Sequence, residues 1–155
     1  MEVDPQAALQ EARAARRTGN YLRQLSAARD AASFEGPHRE AALLEALEAL
    51  VFLERFGEAR GSVAALQALG GPRTRIRVAA WHSYIEVIEG HPLEARKVLD
   101  AVESLIEDHA EPHDVFLIHV ARSRMEHACE QPLAAIEHAE PVSYTHLTLP
   151  TNREV

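Results

Sequence analysis

The sequence predicts an all-α fold, an α-solenoid of about four antiparallel helix hairpins. Three observations carry that prediction. The chain is 46% hydrophobic but only 5% aromatic, and it is rich in Ala, Leu and Glu. These residues lose little side-chain freedom in a helix. Apolar residues recur at spacings of three and four, and no strand alternation survives outside the C-terminal tail. The chain also echoes itself. Ser83-Tyr84-Ile85-Glu86 followed by Pro92-Leu93-Glu94-Ala95 is matched by Ser123-Arg124-Met125-Glu126 followed by Pro132-Leu133-Ala134-Ala135, each position displaced by 40. A fixed displacement of this kind marks a repeat array.

The elements follow in order. Asp4-Pro5 is a cap and first-turn pair, and it opens a helix over 5–17. Thr18-Gly19-Asn20 ends it, with Gly19 or Asn20 able to take the left-handed conformation. Tyr21 opens a second helix through Phe34, stopped by Gly36-Pro37. A third runs from about His38 to Arg55 on a broad stripe that includes Leu43, Leu47 and Leu50. Such a stripe suits a helix packed on two sides. Phe56-Gly57 is read as the next turn, with a fourth helix over Ala59–Leu69. Gly70-Gly71-Pro72 punctuates the chain. A fifth helix spans Thr74–Glu89 and a sixth Leu93–Glu107. Asp108 to Pro112 reads as a loop. A seventh helix spans Val115–Cys129, and an eighth begins at Leu133. The units are therefore about 5–36, 38–71, 73–110 and an incomplete 112–140.

At its turns the chain resembles the tetratricopeptide family, whose units are paired antiparallel helices of about 34 residues. The second helix of that family commonly opens Gly-Asp-Tyr/Pro-x-x-Ala. The corresponding strings here are Gly19-Asn20-Tyr21, Phe56-Gly57-Glu58-Ala59, Gly90-His91-Pro92-Leu93-Glu94-Ala95 and Glu130-Gln131-Pro132-Leu133-Ala134-Ala135. The first-helix signature is poorly kept, because Trp81-His82-Ser83 fits it only loosely. The resemblance covers about residues 5–140. It implies a superhelix whose concave face binds a peptide or partner domain.

The tail differs. Val142-Ser143-Tyr144-Thr145-His146-Leu147-Thr148-Leu149-Pro150-Thr151 has neither helical periodicity nor charge. It reads as translated sequencing-adapter DNA, and Asn152 and the end at Val155 fit the same frame. Residues 141–155 are accordingly set apart from the fold. The natural chain is expected to run on differently after Glu140, leaving an apolar face around Leu133 and Ile136 and a route to homo-oligomers through an uncapped end.

Composition excludes several functions. The net charge is −8, so no basic blanket exists to neutralise nucleic-acid phosphates. Residues 86–141 hold thirteen acids against four bases, which favours a basic partner. The single Cys129 rules out an internal disulfide and a thiolate zinc cluster. No apolar run suggests a leader or a membrane span, which leaves a cytoplasmic protein as the default.

Candidate chemistry is sparse. His109 and His113 are separated by Pro112, and His119 and His127 lie two turns apart, so neither pair makes a zinc site unaided. No phosphate loop or nucleophile elbow is present, and adjacent His82 and Ser83 point about 100° apart on a helix. No enzyme, metal or cofactor is expected. The expected partner-binding residues are Arg75, Arg77, Trp81, Tyr84, His119, Arg122 and Arg124. The two aromatics would anchor a partner, and the arginines would form a basic strip for a peptide carboxylate. An alternative expectation is the N-terminal regulatory array of a larger bacterial signalling protein or transcriptional regulator.

Overall fold

A computed structural model describes residues 2–130 of the chain. Its helices are α1 (Pro5–Arg17), α2 (Tyr21–Ala32), α3 (Arg39–Phe52), α4 (Phe56–Leu69), α5 (Pro72–Ile88), α6 (Pro92–Asp100) and α7 (Glu103–His109). An eighth, α8, covers 112–130. No strand occurs among the described residues. The fold is all-α, with each helix packed on its neighbour in sequence through α6, and α1, α3 and α5 also touch in succession. This is a repeat-like stack of hairpins. The predicted helix from Leu133 and the tail 141–155 lie outside the described residues.

The three complete hairpins close by one device. Gly19, Glu54 and Gly90 all have positive φ, at 70°, 57° and 85°. At each, two reverse hydrogen bonds satisfy the last carbonyls of the first helix. The N–H groups of Asn20, Arg55 and His91 donate to Ala15, Leu50 and Glu86 at 2.9, 2.9 and 2.7 Å. Those of Gly19, Glu54 and Gly90 donate to Arg16, Val51 and Val87 at 3.0, 3.1 and 3.1 Å. This is the Schellman termination. The second helix starts two residues on, at Tyr21, Phe56 and Pro92.

The middle turn corrects the expected boundaries. The chain reverses at Leu53–Arg55, not at Phe56-Gly57. α4 therefore starts at Phe56 and carries Gly57 inside its first turn. Glycine misled here because the left-handed position went to a glutamate.

The interior is built from small residues at helix crossings and branched aliphatics between them. Ala12, Ala28, Ala42, Ala59 and Ala95 have no exposed surface, and neither do Leu47, Leu66, Ile76, Ile85 and Leu99. Each buried Leu or Ile stabilises the fold by about 1.5–3 kcal/mol. One cluster joins α1 to α5 through Leu25, Leu47, Leu66 and Ile85. A second joins α5, α6 and α8 through Ile76, Leu99, Ile118 and Met125. α5 belongs to both, which is why it shows buried side chains on most of its circumference.

Two boundaries in the third unit also differ from expectation. The sixth helix is split at Ala101-Val102, where Val102 N–H donates to Leu99 and Leu105 N–H to Val102. Nothing local demands this break. Arg122 on α8 bonds acids on both sides of it, Asp100 at 3.3 Å and Glu103. α7 then continues through His109, and α8 begins at 112, so the expected loop over 108–112 shrinks to Ala110 and Glu111.

Candidate functional site

The first helices of the four units share one face. A small recess of about 80 Å³ on that face is lined by all four: Arg13 and Arg16 of α1, Leu44, Glu45 and Glu48 of α3, Arg77 and Trp81 of α5, and His113 and Leu117 of α8. Beside it lies an apolar cleft of about 310 Å³, walled by Val51 and Phe52 of α3, Trp81 and Tyr84 of α5, and Phe116, Val120 and Arg124 of α8. Trp81 and Leu117 border both. A cleft of this size and lining is of the kind that takes a ligand side chain or small molecule.

Aromatic rings build one wall of the apolar cleft. Tyr21 stacks on Phe52 with centroids 4.6 Å apart and planes 9° apart. Trp81 meets Phe52 edge-on at 5.7 Å. Both are favoured aromatic arrangements. Phe52 remains 48% exposed and Phe116 61% exposed, so apolar surface is left open to solvent. Arg124 lies over the Tyr84 ring, its guanidinium carbon 4.9 Å from the centroid, a cation–π contact.

The polar recess has a layered charge arrangement. Glu45 is buried and accepts hydrogen bonds from Arg16 at 2.9 Å and Gln24 at 3.0 Å, with Arg13 at 3.8 Å. Glu48 has a weaker partner, Arg16 at 3.9 Å. Burial pushes the Glu48 carboxyl up from its ordinary value; Arg16 and Arg77 oppose this and Glu45 adds to it. Asp114 is fully buried and holds Arg77 at 2.6 Å and Arg73 at 3.0 Å. It also accepts from the Glu111 backbone N–H at 3.0 Å, the back-bond of a capping box at the start of α8. Burial pulls its carboxyl up, but the bonds from Arg77, the Glu111 N–H and Arg73 outweigh it and hold it below the ordinary value. The carboxylates thus lie beneath, and arginines face outward.

The residues expected from sequence divide between faces. Trp81, Tyr84, Arg77 and Arg124 come together at the paired clefts. Trp81 and Tyr84 also pack on the core, so they serve the stack and the cleft at once. Arg75 lines a separate groove with Gln67, His82 and Lys97. It lies two residues from Arg77, about 200° round α5. Arg122 is committed to Asp100 and Glu103. His119 is exposed on α8 and borders neither cleft. The four arginines therefore do not line up as one strip.

Several cleft residues escaped the sequence reading. Phe52 and Phe116 break no periodic pattern. Asp114 had a legible signal, an acid at the third helical position after Pro112. Glu45 and Glu48 look like ordinary solvated acids, and only the packing of α1 on α3 makes them otherwise.

Elsewhere, Glu86, Glu89 and His91 offer metal-type donor atoms within 4.8 Å of one another. Arg60 bonds both carboxylates, so a cation's charge is already supplied by the protein. Arg60 holds the Glu86 carboxyl below its ordinary value, against burial. The cluster braces α4 against α5. Among the described residues no helix is long and apolar enough to cross a membrane.

No family, curated protein or solved structure matches the chain.

Proposed function

We propose that this chain is a divergent tetratricopeptide-like repeat module that binds a segment of a partner protein across the face formed by α1, α3, α5 and α8. One observation carries the reading: side chains from the first helices of all four units converge on one recess beside an apolar cleft. A rigid array with exposed aromatic anchors suits groove recognition, in which packed helices need no further ordering and a few buried contacts supply the affinity. No group in the clefts is arranged as nucleophile and base, which supports a binding role over catalysis.

The test is selection from a random dodecapeptide display library on the purified chain, with the double variant Phe52→Glu/Phe116→Glu as counter-target. Both positions are exposed, so the variant should fold, as checked by circular dichroism and melting. Peptides enriched on the wild-type chain and lost on the variant are the expected result. No enrichment, or equal retention by the variant, would refute the proposal.

A further inference from the structure

Resting on that reading, we infer that the bound segment is acidic: two carboxylate side chains about three residues apart, with an aromatic or branched aliphatic residue between them. The net charge is −8, but the charges that face the clefts are mostly positive.

The side chains of Arg13, Arg16 and Arg77 are 39%, 41% and 32% exposed, whereas that of Glu45 is 7% and that of Asp114 is 0% exposed. Glu48 lies beside Arg16 and is 20% exposed. A partner approaching this face meets guanidinium groups first. Arg77 uses Nε for Asp114. Its two terminal nitrogens are the forked donors suited to a second carboxylate. Arg124 rests on the Tyr84 ring, and no carboxylate answers it among the described residues. A guanidinium stacked on an aromatic ring keeps its edge donors free.

Spacing fixes the pattern. Arg77, Trp81 and Tyr84 stand at i, i+4 and i+7 on α5, on one side of that helix. Seven residues of helix rise about 10.5 Å. That is the reach of about three residues of extended chain. One acid placed at Arg77 and another at Arg124 over Tyr84 leave the residues between them above Trp81. The opening there is the apolar cleft with Phe52 and Phe116. A basic segment would set its cations against Arg13, Arg16, Arg77 and Arg124, with only the one-fifth-exposed Glu48 to offset them.

The experiment uses the same dodecapeptide library and then measures the enriched peptides by fluorescence of Trp81, the single tryptophan of the chain. The expected consensus is acid-x-x-acid with an aromatic or branched aliphatic inner residue. Replacing both acids by Asn should weaken binding at least tenfold, as should Arg124→Gln in the protein. Arg75→Gln, on another face, should change it less than twofold. Enrichment of basic or uncharged peptides, or indifference to Arg124→Gln, would overturn this inference and leave the peptide-docking reading standing. No enrichment at all would overturn both.

Discussion

Arg77 Nε lies 2.6 Å from Asp114 Oδ1, and the two residues are 37 positions apart. Arg73 reaches the other oxygen of the same carboxylate at 3.0 Å. Asp114 is thus the joint between the third and fourth units. It caps its own helix and takes two arginines from α5, the first helix of the unit before. Asp114→Ala should cost about 2–3 kcal/mol, less than the roughly 3–5 kcal/mol of a fully buried pair because both arginines are partly exposed and regain water. Urea denaturation checks this. A loss under about 0.5 kcal/mol, the size of an ordinary surface substitution, would mean that the joint contributes nothing.

The same residue sets an acid limit. The folded-state value of Asp114 lies below its ordinary, unfolded value of 3.8. Its contribution is therefore complete above that value and is lost as pH falls through the folded-state value. Asp114→Asn should be less stable than the parent at pH 7, and the gap should narrow at the most acidic pH at which both remain folded. Melting curves at stepped pH read the difference directly.

Glu48 has the opposite sign. Its folded-state value is raised by burial, so its ionised form opposes folding, and stability falls as pH rises from the unfolded value through the folded one. Glu48→Gln should raise the melting temperature at pH 7 and lose that advantage near pH 4. A variant less stable than the parent at pH 7 would show that Arg16 outweighs the burial.

The hairpin turns make a graded set. Gly19 and Gly90 hold left-handed backbone, and open space surrounds the position that a Cβ would take, so only the backbone opposes a side chain there. Gly19→Ala and Gly90→Ala should each cost about 1–2 kcal/mol. Glu54 already bears that strain, and Glu54→Gly should stabilise by about 0.5–1 kcal/mol. Thermal melts of the three variants would reveal the opposite signs.

Arg122 should govern the break between α6 and α7. Its partners are exposed, so Arg122→Gln should cost only about 0.2–1 kcal/mol globally. Local opening should rise more visibly. Hydrogen exchange at the amides of Val102 and Leu105 is expected to quicken, with those of Ile85 unchanged.

The hairpins were legible because their causes are local. Pro5, Pro72 and Pro92 open helices, Gly19 and Gly90 close them, and apolar spacing of three and four gives each helix its inward face. Two of the three departures from the expected boundaries have non-local or atypical causes. Glu54 takes a conformation that composition assigns to glycine. The break at Ala101-Val102 is bridged by an arginine from the next unit.

The cleft was half legible. Trp81, Tyr84, Arg77 and Arg124 stood out as large or charged residues at repeat-related positions. Arg75 and Arg122 stood out equally, and one-dimensional spacing could not assign them to other faces. By itself the sequence determined the all-α hairpin stack, because helix propensity, capping and periodicity act over a few residues. Tertiary structure alone decided which charges are seen from outside. Packing α1 on α3 and α8 on α5 buries Glu45 and Asp114 and leaves their arginines at the surface. An acidic chain thereby presents arginines and aromatic rings at its clefts, because burial acts on each side chain separately and net charge does not record it.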